Sequence, residues 1–263
     1  MLEWPALMGT VLAFAVAYLL VLYAVQLRTR DAGIVDFGWA SGLGIAALFL
    51  AIAAQGDPYA RVAMAAVAVP WSARLAYYIF SDRLGHEEDA RYAMLREGWG
   101  DAAPQRFLGV FLMNALLVAG FGLCYMAVAL QPGTPPTPLL AAGVLVGWGA
   151  ILGESVADRQ LQHWRRQPEN KGKTCRAGLW RYSRHPNYFF EWTHWFAYVI
   201  LAVGSPWWPV TLLGPAVMLF FLYRFTGIPF AERQAIKSRG DDYRAYQRTT
   251  SPFLPWFPRE DRA

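Results

Sequence analysis

The chain has 263 residues, of which 56% are hydrophobic and 16% charged, with a positive mean hydropathy; that balance excludes an ordinary soluble domain and points to a membrane protein. The net charge of +5 does not describe a nucleic-acid-binding domain, because Lys and Arg fall between apolar runs instead of forming a basic block. Cys124 and Cys175 lie in an apolar run and a basic loop, so a disulfide is not expected, and two isolated thiols make no metal cluster.

Apolar runs near the ~20 residues that cross a bilayer occur at about 5–27, 33–54, 60–80, 107–130, 138–157, 188–203 and 207–226. Unpaired backbone groups cannot face lipid, and no run alternates with period 2, so each predicts a helix. The expected fold is an all-α, polytopic integral membrane protein with seven transmembrane helices, forming a single domain over 1–263. The first run has neither a basic leader nor a small-residue cleavage site and reads as a retained helix. The links at 55–59, 131–137 and 204–206 are short and rich in Gly or Pro. Those at 28–32, 81–106, 158–187 and after 226 hold 2, 4, 8 and 7 of the 24 Lys and Arg residues. The positive-inside rule places these four segments in the cytoplasm, with the N-terminus outside and the C-terminus cytoplasmic.

Segment 158–187 is longer than a topological signal requires, and it mixes cations with Trp164, Asn170, Trp180, Tyr182 and Asn187. Guanidinium and ammonium groups suit phosphates, and the rings suit stacking, so this segment is the expected cofactor loop. It is also expected to bury little apolar surface of its own. Ionisable residues inside the apolar runs are Asp36, Arg74, Glu154, Glu191, His194 and Arg224, each a functional candidate because its burial in lipid is costly. Asn187, Glu191, His194 and Tyr198 recur on one helical face, as do Trp71, Arg74, Tyr78 and Asp82. Glu154, Asp158 and Arg165 share a face if the fifth helix continues past the membrane. The four histidines lack metal-site spacing, and no phosphate-binding glycine loop or nucleophile elbow is present.

The stretch NKGKTCRAGLWRYSRHPNYFFEW at 170–192 closely resembles the bacterial membrane branch of the steroid 5-alpha-reductase family. DAGIVDFGWASG at 31–42, RLGHEEDARYAMLREGWG at 83–100, ESVADRQLQHWR at 154–165 and the C-terminal stretch at 227–258 extend the resemblance along nearly the whole chain. The resemblance implies NADPH-dependent reduction of the C4–C5 double bond of 3-oxo-Δ4-steroids, or of a related lipophilic enone, in a bacterial inner membrane. The substrate would enter from the bilayer among membrane lipids, and the cofactor site would face the cytoplasm. It also implies cofactor-binding roles for Asp158, Arg165, Lys173, Tyr182, Asn187 and Arg224; Lys171, Arg184 and His185 join them from the basic segment. Glu191 matches a family acid at the junction of nicotinamide and steroid. Asp36, Trp39, Trp71 and Glu191 are the expected substrate contacts. No metal and no nucleic acid are implied.

Two positions depart from the vertebrate pattern. The second-helix Gln-Glu pair is replaced by Val35-Asp36, and the third-helix Tyr aligns with Trp71, leaving Tyr78 as the nearest Tyr on that face. Hydride addition to an enone builds negative charge on the carbonyl oxygen, so a hydrogen-bond donor there lowers the barrier. A carboxyl group kept protonated by an apolar bundle can be that donor, which makes Asp36, Glu191 and Tyr78 the catalytic candidates. The rival reading is a membrane S-adenosylmethionine-dependent methyltransferase of the isoprenylcysteine or phospholipid type. Such enzymes share an RHPNY-like segment and a C-terminal Glu-containing helix, here fitted by Glu232 and Arg233. The seven cations of segment 165–184 favour a cofactor with phosphates, which S-adenosylmethionine lacks.

Overall fold

The computed structural model describes residues 3–82, 88–225 and 227–260. The first residues of the 83–100 stretch, His86 among them, lie outside these. All regular structure in the described residues is helical, in ten α-helices: α1 Trp4–Thr29, α2 Ile34–Ala53, α3 Pro58–Asp82, α4 Ala90–Trp99, α5 Ala103–Ala129, α6 Thr137–Arg166, α7 Pro186–Leu201, α8 Leu213–Arg224, α9 Ile228–Arg239 and α10 Asp241–Thr249.

Six segments of the described residues are long and apolar enough to cross a membrane: Trp4–Thr29, Ile34–Ala53, Pro58–Ser81, Ala90–Ala129, Thr137–Arg166 and Trp208–Arg239. The expected crossing at 188–203 is α7, which has only 16 residues. At 1.5 Å per residue it reaches ~24 Å, short of the ~30 Å hydrocarbon layer. Length and composition therefore mark six candidate crossings among the described residues, and α7 falls below that threshold. Ile52, Val62, Leu116 and Leu145 are each more than 60% exposed along these helices, a distribution that water would penalise and lipid accepts.

The chain divides into two compact units, one of Met1–Val144 with Tyr198–Leu213 and one of Leu145–Ala197 with Gly214–Ala263. In the first unit α2 packs on α3 and α5, and α1 on α2 and α5. Burying Leu7, Val11, Ala15, Leu19 and Leu22 gives α1 one inward stripe, the repeat expected of a helix with a single packed face. Small residues on α2 allow close approach. A Cβ on Gly44 would strike the Ser72 hydroxyl and one on Gly38 would strike Leu22, while Gly42 sits against Val118. Ser72 Oγ in turn donates to the carbonyl of Ala40 on α2.

The polar edge of this unit is a network of ion pairs around α4. Arg96 meets Glu88 at 2.7 Å and donates to the carbonyl of Arg30, while Glu88 also accepts from the Ala32 amide. Asp89 caps α4 by accepting from the Arg91 amide.

The second unit contains the remainder of α6, the basic loop, most of α7, then α8 to α10 and the C-terminal tail. The loop is not the open polar excursion expected. Trp180 is buried and donates through Nε1 to the Ala157 carbonyl at 2.9 Å. Gln160 accepts from the Leu179 amide. That contact relies on Gly178, whose φ is +58° and where a Cβ would collide with the Gln160 carboxamide. Asp242 of α10 accepts from the Thr174 amide and pairs with Arg176 at 2.8 Å. Burial raises the pKa of Asp242, but its bonds to Thr174 and the charge of Arg176 outweigh this and hold it below the usual carboxylate range.

Candidate functional site

The structure sorts the expected site residues into two sets. Asp36, Trp39, Trp71 and Tyr78 belong to the first unit; Asp158, Arg165, Lys171, Lys173, Tyr182, Arg184, His185, Asn187, Glu191 and Arg224 belong to the second.

In the first unit, Trp39 is the hub of an aromatic cluster, with the rings of Trp71 and Phe121 edge-on at 6.0 and 5.9 Å. Tyr78 lies beneath the Arg74 guanidinium. Asp36 departs from expectation. Its Oδ2 accepts from Arg91 and its Oδ1 from the Tyr92 hydroxyl, both at 2.7 Å. Both carboxylate oxygens thus act as acceptors, the opposite of the proton-donor role expected of an acid isolated in an apolar bundle. Arg91 and Tyr92 escaped the sequence reading because they stand 55 and 56 residues from Asp36 on a separate short helix.

In the second unit, Asn187 at the start of α7 donates to Asp158 of α6 at 3.3 Å. This joins two of the expected cofactor residues. Glu154 is buried one turn earlier on α6, and His194 is fully buried two turns later on α7. Tyr198, the last residue of that expected stripe, falls in the first unit instead, edge-on to Tyr125 at 4.9 Å.

A second constellation gathers on Glu232 of α9. Arg184 Nε donates to Glu232 Oε1 at 2.7 Å, His185 Nε2 lies 3.4 Å from the same oxygen, and Gln247 donates to Oε2 at 2.8 Å. Arg184 also donates to the carbonyls of Gln247 and Thr250. These residues bind the RHPNY segment to α9, α10 and the tail. The Arg184 charge is matched by Glu232, so this Arg is less available to a ligand phosphate than expected. Gln247 and Thr250 carry no sequence signal that marks them.

Burial lowers the pKa of His185 from its ordinary 6.5, the Arg184 charge adds to that, and Glu232 opposes it. An unfolded His takes up its proton near 6.5 while the folded one resists, so the unfolded state binds more protons below that pH. Stability should be present above 6.5 and decline as pH falls towards the folded value. Thermal midpoints at pH 7.5 and 5.5 should drop more in wild type than in His185→Asn; parallel drops would refute the assignment.

The remaining cations behave differently. The second unit contains sixteen Lys and Arg against nine Asp and Glu, a net of +7 for a chain whose total is +5. Arg165, Arg166, Lys171, Lys173 and Arg181 have no carboxylate partner among the described residues, and both lysines are exposed. Burial raises the pKa of the Cys175 thiol, while the Ala177 amide and the guanidiniums of Arg165 and Arg239 oppose the rise. Arg165 at the end of α6 and Arg239 at the end of α9 thus both act on the Cys175 thiol electrostatically. Tyr182 sets its ring edge-on to Phe257 at 6.0 Å, and Arg224 is exposed at the end of α8.

Comparison with known proteins places the chain in a family. Residues 22–250 match the family described as "Protein of unknown function (DUF1295)". The chain belongs to that family. It is also similar to a protein of Ustilaginoidea virens described as "Probable O-methyltransferase ustE", at 30% identity over 93 residues. That match covers 35% of this chain and 31% of the relative, so the chain spans about a third of the relative's length. No solved structure matches.

Proposed function

We propose that this DUF1295 member is a membrane enzyme whose second unit binds NADPH for reduction of a lipophilic enone, the 3-oxo-Δ4 group of a steroid being the model substrate. The carrying observation is the set of cations without carboxylate partners among the described residues at the end of α6 and along the basic loop: Arg165, Arg166, Lys171, Lys173 and Arg181. A diphosphate with a 2′-phosphate matches that excess. Arg165, Lys171, Lys173 and Arg239 would hold the phosphates, while Asp158 and Asn187, already joined at 3.3 Å, would orient the sugar or the nicotinamide amide. When bound, the cofactor supplies the hydride. Glu191, one turn beyond Asn187, would be the donor to the substrate oxygen. With α7 as a seventh, short crossing, the positive-inside rule puts the basic segments on the cytoplasmic face of a bacterial inner membrane, with the C-terminus on that side and the N-terminus outside.

Methyl transfer from S-adenosylmethionine is the second reading, and two observations favour it. The RHPNY segment meets the C-terminal helix through Arg184, His185 and Glu232, the two segments that such methyltransferases share, and the relative from Ustilaginoidea virens is described as a probable O-methyltransferase. Calorimetric titration of the purified protein with NADPH, NADH and S-adenosylmethionine separates the readings. NADPH binding at least tenfold tighter than NADH is expected. Binding of S-adenosylmethionine without NADPH would overturn the reductase and establish the rival.

A further inference from the structure

The C-terminal tail of the second unit borders a cavity of about 410 Å³ that neither the cofactor reading nor the comparisons assign. Its lining includes Arg184, Arg248, Thr249, Ser251 and Arg259, and no Asp or Glu. The rim is apolar. Leu254 is 57% exposed, Trp256 68% and Phe257 75%.

These exposed side chains are not on a loose end. The Trp256 amide donates to the Tyr182 carbonyl at 2.9 Å, Ser183 Oγ donates to the Phe253 carbonyl at 2.8 Å, and the Arg259 amide donates to the Thr249 carbonyl at 2.8 Å. The backbone thus holds three large apolar groups outward beside a basic cavity. In water that arrangement leaves apolar area unburied at ~25 cal/mol per Å². At a bilayer surface it is favourable, since Trp partitions to the headgroup level and guanidinium groups meet phosphates there.

We propose that this cavity binds the phosphodiester headgroup of an anionic phospholipid, with Arg248 and Arg259 on the phosphate and Trp256 and Phe257 beside the glycerol and upper acyl chain. Planar guanidinium groups pair with phosphate oxygens in a bidentate way, and the Ser251 hydroxyl would add a neutral donor. The volume lies within the ~300–1,000 Å³ range of small-molecule sites. A free phosphate would use the cations but leave the rim without a role, which is why the lipid is the chosen occupant.

The test is native mass spectrometry of the detergent-purified protein with added phosphatidylglycerol, with phosphatidylcholine in a parallel sample. Wild type should retain phosphatidylglycerol at least tenfold more than phosphatidylcholine. Arg259→Glu and Trp256→Ser, both at exposed positions where folding is not at stake, should each lower that retention severalfold. Equal retention of the two lipids, or unchanged phosphatidylglycerol retention in both variants, would overturn the site. Two further results would also overturn it: inorganic phosphate displacing nothing yet binding with the same dependence on Arg259, or a dimer that disappears in Trp256→Ser while lipid retention stays constant.

Discussion

Arg184→Ala is expected to destabilise the second unit by about 3 kcal/mol, the lower end of the cost of removing one partner from a buried ion pair. The pair is part-buried, with side-chain exposures of 10% and 16%, so water replaces only part of the guanidinium that Glu232 loses. The same side chain holds the Gln247 and Thr250 carbonyls at 3.0 and 2.6 Å, and both would be left without this donor. The measurement is the thermal unfolding midpoint in detergent, together with the rate at which protease removes the tail. Glu232→Gln should be milder, because an amide oxygen still accepts from Arg184. Arg184→Met combined with Glu232→Leu should recover part of the loss, since apolar groups need no partner. An Arg184→Ala protein that melts with wild type would show that the cluster is not the tie between the RHPNY segment and α9.

That cluster also shows what the sequence left unread. The long apolar helices were legible because each crossing is a continuous run: the run at 5–27 is α1, Trp4–Thr29, and that at 33–54 is α2, Ile34–Ala53. Hydrophobicity reports only the medium a segment occupies. It therefore located α7 almost to the residue, and at the same length of 16 residues. The charged helices α4, α9 and α10 left no apolar signal. Partnerships were harder still. Helical spacing states which residues share a face, as for Asn187 and Glu191, but not what that face meets. Asp36 and Arg91 are 55 residues apart, and Arg184 and Glu232 are 48 apart, so only the tertiary fold brings them together. Asp36 drew attention as an acid within an apolar run, and it was the partners on α4 that changed its meaning.

Arg165→Glu and Lys173→Glu are each expected to weaken NADPH binding roughly 10- to 100-fold. A hydrogen bond to a charged group is worth ~1.5–3 kcal/mol, and reversal adds repulsion to that loss. Both residues lack a carboxylate partner among the described residues, so substitution should not release a buried charge of the kind that makes Arg184 structural. Arg165 stands exposed in the last turn of α6. Lys173 is exposed, with its backbone fixed by its amide to the Asn170 carbonyl at 2.9 Å. Because exposed charges are screened, wild-type affinity should also fall with added salt, and the slope should flatten in the variants. Comparing NADPH with NADH identifies the phosphate each cation holds: a residue on the 2′-phosphate affects NADPH alone, whereas one on the diphosphate affects both. If both variants bind NADPH as wild type does, the phosphates lie elsewhere. If S-adenosylmethionine affinity responds while NADPH does not bind at all, the basic loop serves methyl transfer instead.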